Sequence, residues 1–451
     1  MNNSYWWESL PSWTPLPKVS ESAEIDVAII GAGYTGLWSA YFLKQQNPSL
    51  KIQIFEKEHV GFGASGRNGG WVSSLWPVSL HKISATTDRE TARNFQLILN
   101  SVVQQFGETL RTENIDADFN QAGTVNLARS TSQLQRLRTE VDEYREFGFG
   151  SADYDLVEDL AQLPNATNTI AGLISPHCAS IQPAKLVRNL AKILIAQGTD
   201  IFENSAVSQL SPRHLMVNGY NVTAKHILVA TEGYRHELLH RVTAPIHSLM
   251  FISDPIPTDL LDSLRLKPGQ TFNDARNLII YGQRTADNRI AFGGRGAPYR
   301  LGSKTGASVE LHEGAFNYLN RTLIEMFPTL TQYISRPSHH WGGPIGVSRD
   351  WQPSINYNPE TGIITAGNYV GDGVAASYLA GQTVADLITR TKSGLTQLPW
   401  VNHQSRKWEI EPIRYILINA ARYLISTSDL IEHKVGKETF LTKALWRLLK
   451  G

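Results

Sequence analysis

Residues 26–36 read Asp-Val-Ala-Ile-Ile-Gly-Ala-Gly-Tyr-Thr-Gly, and this stretch decides the fold. Its apolar run predicts a buried parallel strand. The glycines that follow, Gly31, Gly33 and Gly36, permit a tight turn, a close approach of the backbone to a pyrophosphate and close packing of a helix on the strand. The helix that they open points N–H groups toward that phosphate. The stretch therefore predicts a dinucleotide-binding domain.

A carboxylate follows where such a domain requires one. A second strand, residues 51–55, ends at Glu56, where a carboxylate accepts hydrogen bonds from the adenosine ribose hydroxyls. A glycine-rich turn by itself often only closes a helix onto a strand. Here the strand, a helix over about 36–46, the second strand and the acidic residue follow in order, which favours the dinucleotide over a purely structural turn.

Length and composition fit an enzyme with ample core. The chain has 451 residues, enough for two or three structural units, and 41% of them are hydrophobic. A formal charge of +1 lacks the basic excess that is typical of nucleic-acid binding. The single cysteine, Cys178, excludes an internal disulfide, a CxxC redox pair and a thiolate metal cluster. The sequence shows neither a secretory signal pattern nor ~18 consecutive apolar residues, so we expect a cytoplasmic protein.

The order of predicted elements indicates two interleaved domains. An arm over 1–22, rich in tryptophan and proline, is expected to be irregular, with its aromatic rings packed on the body of the protein. A helix over 183–196 leads into strands over 201–207 and 223–231. Between about 245 and 337 the pattern changes to short strands with turns. These segments predict a nucleotide domain interrupted by a substrate domain.

Five separated motifs carry a resemblance to a known family. They are the stretch quoted above, Gly61-Phe-Gly-Ala-Ser-Gly-Arg-Asn-Gly-Gly-Trp71, Ile227-Leu-Val-Ala-Thr-Glu-Gly233, Trp341-Gly-Gly-Pro followed by Asp350 and Pro353, and Gly367-Asn-Tyr-Val-Gly-Asp-Gly-Val-Ala-Ala-Ser377. Together they resemble the FAD-dependent oxidoreductases of the D-amino-acid oxidase, glycine oxidase and sarcosine oxidase superfamily. The resemblance covers about residues 24–392 and is greatest to the gamma-glutamylputrescine oxidoreductase branch.

The resemblance implies an α+β fold, in which a Rossmann-like FAD-binding domain of the glutathione-reductase type is interrupted by a substrate domain with helices and a mixed or antiparallel sheet. The FAD-binding domain is expected over 23–80, 175–245 and 338–392, and the substrate domain over 81–174 and 246–337. The residues expected to bind FAD are Gly31, Gly33, Tyr34, Thr35, Gly36, Glu56, Lys57, Gly63, Ala64, Ser65, Arg67, Asn68, Gly69, Val207, Thr231, Gly233, Gly371, Asp372, Gly373 and Val374. Those expected at the catalytic site are Trp71, Arg295, Trp341 and Tyr369.

Two glycine-rich motifs have physical reasons to contact the flavin. The loop 61–70 contains five glycines, which permit backbone contact with the pyrophosphate and the isoalloxazine, and its Ser65 and Arg67 can reach phosphate or ring atoms. The motif 371–373 opens a helix whose N-terminal amides would face the flavin N1–C2=O edge, where negative charge accumulates on reduction. The alternatives are a flexible surface loop for the first motif and a simple strand-to-helix turn for the second.

The attachment of FAD is expected to be non-covalent. Relatives that tether the flavin use a histidine near position 67 or a cysteine after the Trp341 region, and this chain has Arg67 and no cysteine there. The pair His339-His340 has no third ligand at metal-binding spacing, so no metal is expected.

The resemblance implies oxidation of an amine or amino acid. In the superfamily, a C–H bond next to an amine nitrogen delivers a hydride equivalent to the flavin, and the resulting imine hydrolyses. The flavin carries the chemistry, and the protein positions and desolvates the amine. Oxygen or another electron acceptor then reoxidises the flavin.

The usual carboxylate anchors are missing. Sarcosine-oxidase-like members place a lysine where this chain has Ala375, and glycine-oxidase-like members place an arginine where it has residues 368–370. Arg295 either replaces these anchors from the substrate domain or is an exposed structural arginine. We therefore expect an amine or amino-alkyl substrate. The alternatives are an amino-acid oxidase or dehydrogenase, a flavin monooxygenase, and a partner-binding protein in which FAD is structural.

Residues 396–451 extend beyond the family fold as helices. One apolar stripe consists of Ile413, Ile416, Leu417, Ala420 and Leu424, and a second of Leu441, Ala444, Leu445 and Leu448. Residues 401–451 contain nine Lys/Arg against five Asp/Glu. Packing of this extension on the chain's own body is the favoured interpretation, and contact with a membrane surface or a partner is the alternative.

Overall fold

The structure, a computed structural model, describes residues 4–234, 240–334 and 339–435. Its strands are β1 Ala23–Ile30, β2 Ile52–Phe55, β3 Trp71–Ser73, β4 Thr124–Ala128, β5 Asp155–Val157, β6 Ala171–Ser175, β7 Cys178–Ser180, β8 Asp200–Phe202, β9 Val207–Ser211, β10 His214–Val217, β11 Tyr220–Val229, β12 Ala244–Ile252, β13 Thr271–Asp274, β14 Ile280–Arg284, β15 Ile290–Arg295, β16 His339–Val347, β17 Ser354–Asn358 and β18 Ile363–Gly367. Its helices are α1 Tyr5–Glu8, α2 Tyr34–Gln46, α3 Leu80–Thr86, α4 Arg89–Thr112, α5 Thr131–Glu146, α6 Pro183–Ala196, α7 Thr258–Ser263, α8 Ala307–Glu310, α9 Glu313–Met326, α10 Thr331–Ile334, α11 Gly373–Thr389 and α12 Ile413–Val435.

The first sheet is the nucleotide sheet, with the order β17-β18-β11-β1-β2-β8 and with β9 and β10 as a meander beside β11. β1 pairs in parallel with both β2 and β11. Because β1 is central and covered on both faces, Val27, Ala28 and Ile29 are fully buried, which explains the unbroken apolar run. Parallel strands bring their carboxyl ends to one edge of the sheet, where ligands of such folds bind.

Helices α2 and α11 cover one face of the nucleotide sheet. They approach closely at Gly381 of α11, where a Cβ atom would lie 2.7 Å from the backbone carbonyl carbon of Trp38 in α2. On the opposite face, Leu215 of β10 packs with Ala28 and Ile30. The two helices thereby fix the position of residues 371–373, which lead into α11, relative to the glycine turn that leads into α2.

The second sheet is the substrate sheet, with the order β16-β12-β15-β14-β13-β4-β6-β5. Its pairs are antiparallel except for β4 with β13. Alternate side chains point to opposite faces. One face packs on α9, with Phe251, Phe272 and Phe292 in contact with the cluster that contains Leu319 and Leu323.

We call the other side of the substrate sheet the site face. The strand register brings its members together, because directly paired residues share a face. They are Ser248 and Met250 of β12, Arg295 and Gly293 of β15, Tyr281 and Gln283 of β14, Asn273 of β13 and Asn126 of β4. The site face turns toward the loop 61–70, because Gln283 donates to the backbone of Gly69.

The predicted α+β class is confirmed, with a largely parallel nucleotide sheet and a mixed second sheet. The predicted domain boundaries stay a prediction. One predicted strand is wrong. Residues 201–207 are not a single strand, because residues 201 and 202 belong to β8 and residue 207 begins β9. The reason is Asn204, whose left-handed backbone (φ 51°) turns the chain between the two.

The N-terminal arm includes a short helix, α1, and packs on the body through its tryptophans. Trp6 is buried, and its carbonyl accepts a hydrogen bond from Gln182. The guanidinium of Arg188 lies 5.6 Å from the ring centroid of Trp7 and 5.2 Å from that of Trp13. These cation–π contacts hold the arm against α6.

The C-terminal extension docks on the segment that precedes β14 of the substrate sheet, but the predicted stripe is not its docking face. Among the described residues of α12, Ala421 and Ile425 are buried against Leu278, whereas Ile413 and Ile416 of the stripe are 48% and 58% exposed. The docking is largely polar. The second stripe, Leu441 to Leu448, lies outside the described residues.

The polar contact depends on Asp429 of α12, whose carboxylate accepts hydrogen bonds from Asn277 N, Asn277 Nδ2 and Leu278 N at 2.8–2.9 Å. Asp429→Ala removes the acceptor of the backbone N–H groups of Asn277 and Leu278. We expect it to lower the free energy of unfolding by about 1–3 kcal/mol, measured by urea denaturation. Leu430→Ala, at an exposed position of the same helix, should change it little. Equal effects of the two substitutions would contradict a specific role for Asp429.

Candidate active site

The glycine turn at the end of β1 is closely packed. Gly31 has φ 104°, and a Cβ atom there would lie 2.7 Å from the Ala230 carbonyl oxygen at the end of β11. The backbone N–H of Tyr34, at the start of α2, donates to Ser65 Oγ at 2.8 Å. The N-terminus of α2 therefore meets the loop 61–70, where the sequence predicts the pyrophosphate. Thr35 Oγ1 lies 2.9 Å from the hydroxyl of Tyr369.

Glu56 lies at the carboxyl end of β2, as predicted. Its Oε2 accepts from Ala32 N and its Oε1 from Glu58 N, both at 2.9 Å. Burial raises the pKa of this carboxyl above its usual range. Each oxygen has a second lone pair, so the carboxylate can still accept bonds from ribose hydroxyls. Lys57 is exposed.

The loop 61–70 is fixed through its carbonyl groups. Within the loop, Asn68 Nδ2 donates to the carbonyls of Ala64 and Ser65, and Asn68 Oδ1 accepts from Gly70 N. The other donors come from distant segments. Ser4 Oγ donates to Gly66, Trp341 Nε1 to Arg67, Trp6 Nε1 to Asn68, Gln283 Nε2 to Gly69 and Ile181 N to Gly70. The alternative of a flexible surface loop therefore does not describe these residues.

Two predicted site residues have structural partners. Arg67 donates to Glu310 and to the carbonyl of Gly342, both at 2.9 Å, and lies over the ring of Phe62. Trp341 is fully buried and packs edge-to-face on Trp6. Both side chains position the loop. Their contact with FAD or substrate stays a prediction.

Glu232, which the sequence shows only as an extra residue in the motif 227–233, joins three segments. Its carboxylate accepts from Gly346 N at 3.1 Å, Asn368 N at 2.8 Å and Tyr369 N at 3.2 Å. The Glu232 backbone is left-handed, with φ 44°. Burial raises the pKa of this carboxyl to about 7, although the three N–H donors favour its charged form.

The side chain of Arg295, on the site face, reaches the turn before α11. The Arg295 guanidinium donates to the carbonyl of Val370 and lies 5.4 Å from the ring centroid of Trp351. Burial lowers the pKa of Arg295, while the nearby Asp372 opposes this shift. Burial likewise raises the pKa of Asp372 to about 7, against the effect of Arg295. Arg295 is therefore not exposed, because its side chain reaches the turn before α11, and its contact with substrate stays a prediction.

An aromatic wall continues the site face toward the loop. Tyr281 lies over Gly69, and its hydroxyl shares a hydrogen bond of 2.7 Å with Ser248 Oγ. Trp71 packs edge-to-face on Tyr281, with ring centroids 6.3 Å apart, and within the described ranges its buried indole N–H has no hydrogen-bond partner. Ser248 and Tyr281 were not predicted as site residues. Their only sequence signal is their position on strands next to the one that ends at Arg295.

The residues present fit a dinucleotide. Around the turn and the loop, the buried hydroxyls of Thr231 and Tyr234 have no hydrogen-bond partner among the described residues, as expected of groups that face a polar ligand. Gly63 lies against the Tyr234 ring. Gly233 packs on the backbone of Pro344, and Val374 is buried in α11. Val207, at the start of β9, packs against the apolar cluster that contains Phe55.

The described residues give no support for a metal site. No three His, Cys, Asp or Glu side chains come together there as metal ligands. His339 instead pairs with Glu8 at 2.7 Å, and His340 packs on Phe316. In the part of the chain that the structure describes, no helix is long and apolar enough to cross a membrane.

Comparison with known proteins agrees with this geometry. A model of the DAO family, described as FAD dependent oxidoreductase, matches residues 26–387. The chain belongs to this family. It is 28% identical over 400 residues to the gamma-glutamylputrescine oxidoreductase of Escherichia coli (strain K12), covering 86% of this chain and 88% of that protein. It is 23% identical over 389 residues to the glycine oxidase of Geobacillus kaustophilus (strain HTA426), covering 83% of this chain and 96% of that protein.

Solved structures share the fold. The crystal structure of the glycine oxidase from Geobacillus kaustophilus has a TM-score of 0.67 at 20% identity, covering 84% of this chain and 99% of that chain. The L-proline dehydrogenase from P. horikoshii has a TM-score of 0.65 at 17% identity, covering 85% of this chain and 98% of that chain. The expected family is thus confirmed, and the protein is an FAD-dependent oxidoreductase.

The assignment of Glu56 gives a first test of the site. Glu56→Ala removes a charge-assisted acceptor that is expected to be worth about 1.5–3 kcal/mol. We expect the Kd for FAD to rise roughly 10- to 150-fold, measured by titrating the apoprotein with FAD and following flavin fluorescence. Glu24→Ala, at an exposed position of β1, serves as the control. Unchanged affinity in Glu56→Ala, or flavin that stays attached after acid precipitation, would contradict the predicted non-covalent site.

The pKa of Glu232 predicts a dependence of stability on pH. Because its folded-state pKa of about 7 lies above the usual 4.5, Glu232 stabilises the fold below pH 4.5, and this contribution is lost as the pH rises through 7. From pH 5 to pH 8, the wild type should lose up to about 3 kcal/mol relative to Glu232→Gln in urea unfolding. The control is Glu360→Gln at an exposed turn. Parallel pH profiles for wild type and Glu232→Gln would show that Glu232 does not titrate in this range.

Proposed function

We propose that this protein oxidises the C–N bond of an amine or amino-alkyl substrate to an imine, which water then hydrolyses. The observation that carries the proposal is the meeting of the site face with the two FAD motifs. Arg295 reaches the turn before α11, and Tyr281 covers the loop 61–70 at Gly69. A substrate held on the site face would thus lie beside the cofactor.

Bound FAD supplies the acceptor for the hydride equivalent, so the chain's own residues need only bind, orient and desolvate the amine. The hydroxyls of Ser248 and Tyr281 can hydrogen-bond its nitrogen. Trp71 and Trp351 are apolar walls that exclude water. The Arg295 cation disfavours an ammonium nearby, which lowers the pKa of the bound amine and favours the neutral form that donates hydride.

The relatives support the substrate class in general terms. One is named for gamma-glutamylputrescine and another for glycine, so both amine-type and amino-acid names occur among them. This chain has Val370 in the turn before α11 and Ala375 in the first turn of that helix, and neither side chain can pair with a carboxylate. Burial of a carboxylate without a partner costs several kcal/mol. An amine without an α-carboxylate is therefore favoured.

A second candidate is an amino-acid oxidase, and Arg295 is the observation that favours it. A guanidinium can hold a carboxylate through two parallel hydrogen bonds. Arg295 ends β15 of the substrate sheet, whereas relatives place their anchors in or beside the turn before α11. In this structure it donates to the carbonyl of Val370 and has Asp372 nearby, so a substrate carboxylate would compete with Asp372 for it.

The two candidates differ in the effect of Arg295 on selectivity. We expect kcat/KM for an amine to exceed that for its α-carboxylated analogue in the wild type, measured by anaerobic bleaching of the flavin. Arg295→Ala should reduce kcat/KM for the amine by roughly tenfold or less, because only positioning and the shift of the amine pKa are lost. Arg295→Lys, which keeps the charge, should retain more of the activity.

A strong preference for the carboxylated compound, abolished by Arg295→Ala, would identify an amino-acid oxidase instead. Bleaching by NADPH would indicate a monooxygenase. A flavin that no amine or amino acid reduces would favour a structural role for FAD. The electron acceptor is tested separately, by reoxidising the amine-reduced protein with oxygen or with an artificial quinone.

A further inference from the structure

One side of α12 exposes apolar side chains to solvent, across the helix from the side that docks on the body. On the docked side, Ala421, Ile425 and Ser428 are buried. The other side follows the spacing of a single helical stripe. Its large apolar residues are 38–65% exposed, and we call them the α12 face: Ile413, Ile416, Tyr423, Leu424, Leu430, Ile431 and Val435. A continuous apolar set of this kind on a surface indicates an interaction site.

The α12 face is long and contains no acidic residue. The helix has 23 residues, which corresponds to a length of about 35 Å. Its acidic residues are Asp429 and Glu432, and both turn toward the body, where they bond to Asn277 and Arg136. The face therefore presents nothing that would repel a negatively charged partner.

Two further exposed apolar residues extend the α12 face beyond its N-terminal end. Ile410 is exposed, and its carbonyl accepts a hydrogen bond from the backbone N–H of Arg414, in the first turn of the helix. Leu301 is also exposed, and the backbone N–H of the next residue, Gly302, donates to Glu411 Oε1 at 3.2 Å. The apolar surface thus includes parts of two distant chain segments.

An excess of positive charge lies beside this end of the face, next to Leu301 and Ile410 in the chain. The exposed cations are Arg300, Lys304, Arg406 and Lys407. The acidic residues of 405–414 do not offset them, because each already pairs with an arginine. The pairs are Glu409 with Arg349 and Glu411 with Arg414.

The sequence that follows the other end of α12 is also basic. Residues 436–451, which lie outside the described residues, contain four Lys/Arg against one Asp/Glu. A second copy of the chain, packed along the α12 face in either direction, would therefore bring cations against cations, and such contacts disfavour association. A surface with negative charge is the electrostatic complement of this face.

We propose that the α12 face docks on the surface of a lipid bilayer that contains anionic phospholipids. Its apolar side chains enter the boundary between headgroups and acyl chains, and the cations at its ends attract the anionic headgroups. Tyr423 suits this boundary, because its ring is apolar and its hydroxyl is polar. Packing on the chain's own body then describes one side of α12, and contact with a membrane describes the other. The proposal does not depend on the proposed amine oxidation.

The first test is cosedimentation of the full-length holoenzyme with vesicles. One set of vesicles is phosphatidylcholine, and the other contains equal parts of phosphatidylcholine and phosphatidylglycerol. We expect the partition coefficient to be at least tenfold higher on the mixed vesicles and to fall as salt is added, because salt screens the attraction. Failure to bind the mixed vesicles, or equal binding to both sets, would overturn the proposal.

Variants assign binding to the α12 face. Ile416→Glu replaces an exposed apolar contact by a negative charge and should lower the partition coefficient at least tenfold. Arg406→Gln together with Lys407→Gln should lower it about 25-fold, roughly fivefold for each cation. Ile195→Glu, at a 42% exposed position of α6, is the matched control and should bind as the wild type does. All variants should retain FAD, as judged by flavin absorbance. Equal binding by Ile416→Glu and Ile195→Glu would contradict the assignment.

A fluorescent label distinguishes the bilayer from other occupants of the face. The single cysteine, Cys178, is buried, so a polarity-sensitive dye can be attached selectively to Ile416→Cys. Its emission should be that of a dye in water for the protein alone, and should shift to shorter wavelength when mixed vesicles are added. A shifted emission without vesicles at every protein concentration would show that residues 436–451 cover the face. A shift that grows with protein concentration, accompanied by a dimer in light scattering, would show a second copy. Either result would overturn the proposal.

Discussion

The loop 61–70 must satisfy its backbone carbonyls without regular secondary structure, and the rest of the site depends on how it does so. A buried irregular segment is stable only when its polar groups find partners. Here side chains from the N-terminal arm, β14 and β16, together with the backbone N–H of Ile181, supply the donors that Asn68 and the local turn do not. The same hydrogen bonds hold the substrate sheet against the loop, and the bond from Tyr34 N to Ser65 Oγ joins the loop to the start of α2, so the cofactor site and the substrate site are positioned together.

On the opposite side of the site, Glu232 holds backbone segments together through hydrogen bonds, as the donors to the loop 61–70 do. Its carboxylate joins the end of β11, the strand β16 and the segment before α11, three pieces that are far apart in the chain. A neutral acceptor could satisfy fewer of these amides, and a bulkier group would not fit beside Gly367. Burial of this acid costs free energy of folding, but its hydrogen bonds fix the geometry around the turn at 371–373.

The local parts of this architecture are predictable from the sequence. The glycine turn, Glu56 and the helix α6 each follow from patterns within a few residues. The long-range contacts are not predictable from the sequence. No local pattern indicates that Arg67 pairs with Glu310, or that the Glu232 carboxylate accepts a hydrogen bond from the backbone N–H of Asn368. The face of α12 was mispredicted for a related reason: its apolar stripe suggests burial, yet Asp429 and its neighbours dock the helix through hydrogen bonds.

The hydrogen bonds of the loop also constrain how the molecule is made. The strand-turn-helix unit needs only neighbouring sequence, so it can form early in synthesis. The loop that completes the nucleotide site also needs hydrogen bonds from Gln283 and Trp341. Gln283 lies 214 positions after Gly69, and Trp341 lies 274 positions after Arg67. Contacts of such high sequence separation form late in folding. A nascent chain should therefore acquire tight retention of its flavin only after most of the polypeptide has left the ribosome.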